Sequence, residues 1–538
     1  MKKITRLFLV LITIFSISGY SAFADSKIST YNYNDAKPLI ESHDVISVDI
    51  FDTLLVRPYA EPGDMLKHLR TLQSKCGFTK EQPNGKGSEL EKIILQPHTE
   101  NVELFNYAKS LGKRIIIVSD MYLHEDFLAK MLRKNGIDGW SKLYVSSDYK
   151  AKKSTGKLFD IVLNDLNVKP NTILHIGDNK KSDCEMAKSK GIDCFYTPKL
   201  IDRLFIQEPR LKKYYEENKD TLMASIFVGL ASLNVLKHNN NYWYNLGYLY
   251  SGPVNYAFAK WLQDEFKKDG IEEALFVSRD GYTPHKVFNL IKDRDCNVNT
   301  NYAYVPRGVS VLTTLDLKLS RDLGINYLFN YYRNKDEFLK INTPQNTNNI
   351  EEYSKFLNDN IEIYRKLAQK EKEEYKKYLD TMNLDNKKIA YVDCGSSYGT
   401  GLKLLSQYLN IDNVTAYFAY TSHLQGYNKK VFSKVFTQVK FQEFMMTAPE
   451  PTALRVKNNS PVYGEEKEEL LEIQKQITQG AIDFAKDAEK SLHGLNLFTS
   501  PEYLRRFGLI LDLPATEQKD IDMLPIFKSL GLKCMGLS

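Results

Sequence analysis

Short apolar runs alternate with amphipathic segments between Asp44 and Tyr196, in the repeating order strand, helix, strand. The apolar runs have the length of β-strands, and the segments between them carry apolar residues at helical spacing. Strands joined through helices usually pair in parallel, and helices then cover both faces of the sheet. This pattern predicts an α/β domain with a parallel sheet. Its strands are predicted at residues 45–48, 114–118, 142–145, 172–176 and 194–196.

Polar residues stand at the ends of three of these predicted strands. Asp49 follows the first strand, Ser119 the second and Asp178 the fourth. Parallel α/β sheets bind ligands at the carboxyl ends of their strands, so we expect these side chains to share one edge of the sheet. Asp183 follows Asp178 by five residues, and a helix is predicted to begin between them. The sequence therefore predicts an acidic site along this edge.

Four short elements stand in one order along this segment. They are Asp-Ile-Phe-Asp-Thr-Leu at 49–54, Ser119-Asp120, Lys153, and Gly-Asp-Asn-Lys-Lys-Ser-Asp at 177–183. Together they resemble the haloacid dehalogenase (HAD) superfamily of hydrolases, in which a nucleophilic Asp, a Ser or Thr, a Lys and an acidic pair follow in this order. Lys153 is chosen over three nearby lysines because its spacing to the following helix resembles the family's. The resemblance implies a HAD-like Rossmannoid sheet within a domain at 25–205.

The resemblance implies a Mg²⁺-dependent hydrolase that cleaves a phosphoryl group through a phospho-aspartate at Asp49. A carboxylate nucleophile splits one slow hydrolysis into two easier steps. Mg²⁺ prefers hard oxygen ligands. The implied metal ligands are Asp49, the backbone carbonyl of Phe51, Asp178 and, directly or through water, Asp183.

The same resemblance implies a catalytic set of Asp49, Lys153 and Ser119. Ser119 would donate hydrogen bonds to phosphate oxygens, and Lys153 would neutralise negative charge on Asp49 and on the transferring group. Thr53 and Asn179 join Ser119 and Lys153 as implied substrate contacts. The implied substrate is a small phosphorylated molecule, of the sugar phosphate or glycan-related class.

Phe51 departs from the pattern of the phosphatases in this superfamily, which usually carry a second Asp at this position. That Asp protonates the leaving oxygen and later activates water, and such catalysis is typically worth about 10² to 10⁴-fold. Phe51 cannot move a proton, and it resembles the aromatic residue of dehalogenase-type members. Asp52 would face the other way on an extended segment, although in a loop it could reach the site.

Three other functions stand beside the phosphohydrolase. A dehalogenase-type hydrolase also uses an Asp nucleophile, but it needs no Mg²⁺, so Asp178 beside Asp183 argues against it. A non-catalytic protein would keep the metal and anion site to bind a phosphorylated ligand, and Phe51 motivates this interpretation. In the third, the C-terminal region is a glycan-related transferase and the hydrolase part is accessory.

Residues 206–538 are predicted to form a second, larger α/β region. Its strands are predicted at 274–277, 302–305, 389–392 and 415–420, and its landmarks are at 248–253, 276–282, 392–400 and 444–451. These landmarks resemble a subgroup of predicted HAD hydrolases linked with surface-polysaccharide genes. The glycine-rich segment 395–401 fits an anion-binding loop or a tight turn equally well. Arg279-Asp280, directly after a predicted strand, indicates either a second ligand site or an ion pair.

The segment where the family carries a cap module lies between Arg57 and Glu103. It is short, and Pro and Gly residues interrupt it. This predicts a reduced cap, which leaves the site open to a large substrate or to a lid from elsewhere.

Residues 1–24 have the three parts of a secretory signal peptide. A basic start precedes a short apolar stretch, and Ala-Phe-Ala at 22–24 forms a small-residue cleavage site. The apolar stretch is shorter than the ~20 residues that span a bilayer, so cleavage is favoured over an uncleaved anchor. The sequence therefore predicts export to the periplasm or the outside of the cell, with no membrane span in the mature chain.

The formal net charge is +6, and three of the basic residues lie in the predicted leader. This charge is too small to indicate a nucleic-acid partner. The six cysteines include no C-x-x-C pair, so no zinc site is indicated. In an exported protein Cys184 and Cys194 could form a disulfide. Two buried free thiols are the favoured interpretation, because both residues lie in an α/β segment with apolar faces.

Overall fold

The computed structural model describes residues 31–68, 94–219, 221–237, 241–313, 349–395, 399–420, 424–433 and 439–492. They form two compact units. The N-terminal unit consists of 31–57 and 95–212, and the C-terminal unit consists of the described residues among 58–94 and 213–492. The signal peptide predicted at 1–24 lies outside the described residues, as do residues 69–93 of the predicted reduced cap.

The N-terminal unit is built on a five-stranded parallel sheet, which confirms the α/β prediction. The strands of this unit are β1 (Val45–Val48), β2 (Leu55–Val56), β3 (Gln96–Pro97), β4 (Arg114–Ser119), β5 (Lys142–Val145), β6 (Ile173–Gly177) and β7 (Asp193–Tyr196). The order across the sheet is β5-β4-β1-β6-β7, so β1 is central. β2 and β3 form a separate antiparallel pair.

The apolar runs of this unit form the strands of a sheet that is covered on both faces. In β4, Ile115 and Ile117 pack into the apolar cluster on one face, and Ile116 and Val118 into the cluster on the other. Successive side chains of a strand point to opposite faces, so nearly every position of such a strand is apolar. Burial of each aliphatic side chain contributes about 1.5–3 kcal/mol. β1 is also buried along its whole length, which fixes the place of Asp49 directly after it.

Short helices connect these strands. They are α1 (Ala36–Ser42), α2 (Thr99–Ser110), α3 (Glu125–Lys134), α4 (Ser146–Tyr149), α5 (Lys157–Leu166), α6 (Met186–Ser189) and α7 (Leu200–Gln207), followed by α8 (Pro209–Asn218). In α5 the buried residues Leu158, Phe159 and Val162 form the apolar stripe that the sequence spacing predicts. The helix ends at Asn167, whose φ of 51° is a left-handed conformation that Asn tolerates well.

Cys184 and Cys194 form a disulfide, with their Cα atoms 5.2 Å apart. The favoured expectation of two buried free thiols is therefore wrong. Cys184 lies in a π-helical turn, Lys180–Glu185, and Cys194 lies in the edge strand β7. Both residues are half-buried, and the turn packs directly against β7, so the two thiols lie within bridging distance instead of being separated in an apolar core.

The C-terminal unit contains a second five-stranded parallel sheet. Its strands are β8 (Glu273–Val277), β9 (Asn299–Ala303), β10 (Ile389–Asp393), β11 (Val414–Tyr420) and β12 (Lys429–Ser433), and β13 (Ala453–Lys457) pairs with β14 (Ser460–Tyr463) in an antiparallel ribbon. The order across the large sheet is β12-β11-β10-β8-β9. The second α/β region is thus confirmed as a parallel sheet.

Two edge strands of this sheet differ from the sequence prediction. The strand predicted at 302–305 is β9, which begins earlier and carries the polar residues Asn299, Thr300 and Asn301. β12 begins with two lysines and is not predicted at all. Edge strands contact solvent along one side and often carry charged residues, so the apolar run that marks a buried strand is missing in both.

Ten helices with described bounds accompany the second sheet. They are α9 (Leu222–Ser232), α10 (Tyr242–Leu246), α11 (Gly252–Asp269), α12 (Tyr282–Ile291), α13 (Arg307–Thr313), α14 (Ile350–Asp359), α15 (Ile361–Asp380), α16 (Thr400–Leu405), α17 (Val439–Met446) and α18 (Glu468–Leu492). The long helix α18 packs along α10, α11 and α12. Within the described ranges, no helix has both the length and the apolar character that a bilayer crossing requires.

Candidate active site

Three carboxylates meet at the carboxyl edge of the N-terminal sheet. Asp49 follows β1, Asp178 follows the neighbouring strand β6, and Asp183 lies in the π-helical turn after β6. Each of the three residues is at most 8% exposed. One oxygen of each carboxylate lies within 4.8 Å of the others. The structure therefore brings together the three acidic residues that the sequence predicts as metal ligands.

The Lys153 ammonium lies between two of these carboxylates. Its Nζ is 3.0 Å from Asp49 Oδ1 and 2.6 Å from Asp183 Oδ1, and the residue is 1% exposed. Asp120 holds the backbone that carries this lysine, because its carboxylate accepts hydrogen bonds from the amides of Lys153 and Ser154 at 2.7 and 3.3 Å. The choice of Lys153 among its neighbours thus matches its position in the structure.

A buried histidine, which the sequence analysis does not single out, supports Asp183. His175 Nε2 lies 3.5 Å from Asp183 Oδ1, and its Nδ1 is 2.7 Å from the hydroxyl of Ser47. Ser47 and His175 are direct neighbours in the register of β1 and β6. A Cβ at Gly177 would collide with the Asp183 carboxylate, so glycine is required there. The sequence signal for this pair is one polar residue inside each of two otherwise apolar strands, Ser47 in β1 and His175 in β6.

The predicted substrate contacts lie around the cluster. The Thr53 hydroxyl donates to Asp178 Oδ1 at 3.2 Å. Ser119 ends β4, directly beside β1, and is buried. Asn179 caps the π-helical turn: its side-chain oxygen accepts from the amides of Lys181 and Ser182. The contacts of Thr53 and Asn179 thus hold the acidic cluster in place, and a role of these residues in substrate binding stays a prediction.

The Phe51 ring faces the Arg57 guanidinium at the same edge of the sheet. The residue is 9% exposed, and the Arg57 guanidinium stands 3.9 Å from its ring centre. The next residue, Asp52, has a φ of 57°, which turns the chain so that its carboxylate reaches the site. Lys199 Nζ lies 3.7 Å from Asp52 Oδ2 and 3.8 Å from Asp178 Oδ2. Lys199 is a site residue that no sequence motif indicates.

Burial and mutual repulsion shift the titration of the cluster. Burial raises the pKa of Asp178 to about 8, and the charge of Asp49 adds to the rise. Burial also raises the pKa of Asp49, although the Lys153 ammonium opposes it. For Asp183 burial acts in the same direction, but Lys153 and His175 outweigh it and hold the pKa well below its usual range. One buried ammonium is therefore too little positive charge for all three carboxylates to be ionised together near neutral pH, and Asp178 keeps its proton there.

The donor set fits a hard divalent cation. The three carboxylates together could hold a metal ion, because their oxygens converge within 4.8 Å. Oxygen-only ligation with carboxylates is what Mg²⁺ prefers. A second positive charge would also stabilise the ionised form of Asp178 that burial makes costly. Asp49 and Asp178 are the residues best placed to hold it, since the same oxygen of Asp183 is engaged by both Lys153, at 2.6 Å, and His175, at 3.5 Å.

We expect Mg²⁺ affinity to rise about tenfold per pH unit below about pH 8 and to level off above it. The cation must displace the proton that the raised pKa keeps on Asp178, so acid competes with the metal. Isothermal titration on both sides of this pH measures the effect. The exposed Asp126→Asn variant should follow the wild-type curve, and an affinity that does not change with pH would contradict the expectation.

The segment that contains this site matches a known protein family. Residues 39–197 match the family described as haloacid dehalogenase-like hydrolase. This segment belongs to that family. The matched residues contain every element of the cluster, from Asp49 to Asp183, and we call the N-terminal unit the hydrolase domain from here on. No curated protein matches the chain.

Several solved structures are similar to this chain. An uncharacterised protein from Listeria monocytogenes serotype 4b is 20% identical, with 28% of this chain and 76% of that chain covered and a TM-score of 0.21. A HAD phosphatase from Thermococcus onnurineus is 18% identical, with 28% and 85% covered and a TM-score of 0.24. A HAD family enzyme from Bacteroides thetaiotaomicron, in complex with magnesium and inorganic phosphate, is 15% identical, with 29% and 95% covered and a TM-score of 0.24.

The glycine-rich segment predicted at 395–401 has structural reasons for its glycines. A Cβ at Gly395 would collide with the Tyr420 ring, and Gly399 has a φ of 60°. Residues 396–398 lie outside the described residues. The tight-turn interpretation therefore explains both glycines, and an anion-binding loop stays a prediction.

Proposed function

We propose that the hydrolase domain is a Mg²⁺-dependent phosphohydrolase that acts through a phosphoryl group on Asp49. The placement of Lys153 between Asp49 and Asp183, with Asp178 alongside, carries this proposal. A buried ion pair that only stabilises the fold needs one partner for each charge. Here a third carboxylate, Asp178, is buried beside the pair, and the ammonium of Lys199 stands 3.8 Å from it. Phosphoryl transfer would account for this arrangement, because it requires a cation beside an anionic nucleophile.

In the first step a carboxylate oxygen of Asp49 attacks phosphorus, and the bond from phosphorus to the leaving oxygen breaks. The Lys153 ammonium offsets the charge that the nucleophile and the transferring group bring together. The Ser119 hydroxyl donates to a phosphate oxygen from the end of β4. Thr53 keeps the Asp178 carboxylate oriented through its hydrogen bond. Bound Mg²⁺ would be held by Asp49 and Asp178, with the Phe51 carbonyl, and would screen the repulsion between nucleophile and substrate.

In the second step water attacks the phosphorus of phospho-Asp49 and frees the carboxylate. This step needs a base to accept a proton from water, and Phe51 supplies none. Asp52 is one residue away, but its carboxylate is engaged with Lys199 at 3.7 Å. We therefore propose that hydrolysis of phospho-Asp49 is the slower step.

We further propose a phosphorylated sugar or glycan-related substrate and an exported mature protein. The first rests on the resemblance of the C-terminal landmarks to the polysaccharide-linked subgroup. The second rests on the signal peptide pattern at 1–24. A cell fractionation that finds the mature chain outside the cytoplasm, with residue 25 at its N-terminus, is the expected outcome for export.

Hydrolysis of an aryl phosphate and a small set of phosphosugars tests the proposed activity. We expect turnover with Mg²⁺, none with a chelator, and none in Asp49→Asn, which keeps the shape of the side chain but is a poor nucleophile. Asp126→Asn, an exposed change in the same domain, should retain the wild-type rate. Turnover that survives in Asp49→Asn would contradict the proposal.

Phe51 favours a second candidate function, a protein that binds a phosphorylated ligand without turning it over. The metal and phosphate contacts would then serve recognition alone. Mg²⁺-dependent binding of inorganic phosphate, in a protein that hydrolyses none of the substrates, would favour this candidate. Its Asp178→Asn variant should then lose phosphate binding as well as Mg²⁺ binding.

A further inference from the structure

The Cys184–Cys194 disulfide lies beside the residues that hold Asp183 in the acidic cluster. Cys184 directly follows Asp183, in the π-helical turn Lys180–Glu185. Cys194 lies in β7, in register with His175 of β6. The same His175 has its Nε2 3.5 Å from Asp183 Oδ1. The disulfide therefore links the chain segment of Asp183 to the strand that pairs with His175.

The position of this turn sets the geometry of the cluster. Asp183 Oδ1, within the turn, lies 2.6 Å from Lys153 Nζ. A hydrogen bond of this length is lost once its two atoms are about 1 Å further apart. Asp178 directly precedes Asn179, the residue that caps the turn. A small displacement of the turn would therefore separate Asp183 from the ammonium and shift Asp178 relative to Asp49.

Other contacts hold the shape of the turn more than its place beside β7. The Asn179 side chain accepts hydrogen bonds from the amides of Lys181 and Ser182, which belong to the turn itself. Towards β7, the ammonium of the exposed Lys180 lies 5.2 Å from the Tyr196 ring centre, and such contacts are weak at exposed positions. Among the described residues, the disulfide is the only covalent cross-link between the turn and this edge strand.

The bond lies near the surface and limits how far the turn can move. Cys184 and Cys194 are both half-buried, and ten positions of the chain separate them. The fixed length of a disulfide keeps the turn close to β7. Segments held by few buried contacts open locally more often than the rest of a fold. Reduction would therefore permit an opening of the turn that the intact bond prevents.

We propose that this disulfide is a redox switch of the hydrolase domain, with Cys184 and Cys194 as positioning residues. The intact bond holds the turn where Asp178 and Asp183 complete the site for Mg²⁺ and phosphoryl transfer, and reduction releases the turn. The effect on catalysis rests on the proposed function, whereas the movement of the turn does not. Disulfides persist in oxidising compartments, so the proposed export would place the domain where the bond forms.

Thiol–disulfide exchange operates the switch in both directions. In reduction, a thiolate of a dithiol attacks one sulfur of the bond, and the S–S bond breaks. The second thiol of the reductant then displaces the protein sulfur, so that the reductant leaves as a disulfide. The protein has taken up two electrons and two protons and holds two thiols. In the reverse direction, oxidised glutathione takes two electrons and two protons from these thiols and leaves as two molecules of glutathione.

Amide hydrogen exchange of the full chain tests the movement of the turn without metal or substrate. Peptides that cover residues 179–183 should exchange at least about tenfold faster after reduction with dithiothreitol, because an open turn loses its cap hydrogen bonds. Helix α3 packs on the opposite face of the sheet from α6, which follows the turn, and should exchange as before. Oxidised glutathione should restore the slow exchange.

Calorimetric titration with Mg²⁺ alone connects the turn to the site. At a temperature well below the unfolding of either form, reduction should weaken Mg²⁺ binding at least about tenfold, as loss of the groups that orient metal ligands commonly does. The double variant Cys184→Ser with Cys194→Ser should match the reduced protein and ignore dithiothreitol. Cys296→Ser, a change at a free cysteine of the C-terminal unit, should respond to reduction as wild type does.

The two measurements separate this proposal from its alternatives. If the oxidised protein bound no Mg²⁺, the proposed function would fail, and hydrogen exchange would still decide whether the disulfide holds the turn. A disulfide that only stabilises the fold would lower the unfolding temperature on reduction but leave Mg²⁺ affinity unchanged. That result, equal exchange of residues 179–183 in both forms, or faster exchange throughout the domain would overturn the proposal.

Discussion

A Lys153→Met variant is expected to lose hydrolase activity and about 3–5 kcal/mol of unfolding free energy at neutral pH without Mg²⁺. The ammonium, 3.0 Å from Asp49 and 2.6 Å from Asp183, is the only buried cation in contact with these carboxylates among the described residues. Met fills a similar volume but leaves both carboxylates without positive charge. Urea unfolding in a chelator and an aryl phosphate assay with Mg²⁺ measure the two losses.

The pH dependence of this loss identifies its cause. In wild type the pKa of Asp183 is held well below its usual range, so its stabilising charge persists down to acidic pH. In Lys153→Met the buried Asp183 can escape its penalty by taking up a proton. The stability difference should therefore shrink as the pH falls towards about 4, the ordinary carboxylate value. The exposed Lys152→Met variant is the control, and its free energy of unfolding should stay within about 0.5 kcal/mol of wild type. If Lys153→Met were as stable as wild type, the buried ion pair would not contribute to stability and the account of this pair would be wrong.

Replacement of Phe51 with Asp is expected to raise aryl phosphate hydrolysis by about 10² to 10⁴-fold. The new carboxylate would take the place of a ring that lies 3.9 Å from the Arg57 guanidinium. Arg57 would favour the charged form of that carboxylate, so the gain should come mainly from its action as a base on water in the second step. Steady-state and burst kinetics together measure the gain and assign it to a step.

Phe51→Asn is the matched control for this gain of activity. Asn has almost the shape of Asp and also removes the aromatic ring, but it cannot accept a proton from water. Its rate should remain near that of wild type. If Asn and Asp raised the rate equally, the gain would come from more space beside the metal ligands, and the missing base would not be the limiting feature.

The hydrolase site is largely predictable from the sequence. Asp49, Ser119 and Asp178 each end an apolar strand, and the parallel sheet brings those ends together. Lys153 requires the family resemblance, because no periodicity marks one lysine among several in a loop. His175 and Lys199 are not predictable in this way. His175 acts through its pairing with Ser47 on the neighbouring strand, and Lys199 comes from a loop that is distant in sequence.

The sequence-based predictions are wrong where contacts between distant parts of the fold, and not the local residue pattern, determine the structure. β12 begins with Lys429 and Lys430, whose polarity suits an edge strand but hides it from a search for apolar runs. The Cys184–Cys194 disulfide depends on how the turn after β6 packs on β7, which sequence spacing alone does not determine. Asp52 is not among these errors: its φ of 57° corresponds to the loop alternative that the sequence left open, in which its carboxylate reaches the site.

Mass spectrometry of the acid-quenched protein, mixed with an aryl phosphate and Mg²⁺, tests the account most directly. The proposed slow second step predicts that the phosphoryl group accumulates on the protein, and peptide mapping should find it on Asp49. Asp49→Asn should carry none, and Phe51→Asp should carry less than wild type because it releases the group faster. Release of inorganic phosphate with no phosphoryl group on Asp49, or with the group on another residue, would contradict the account.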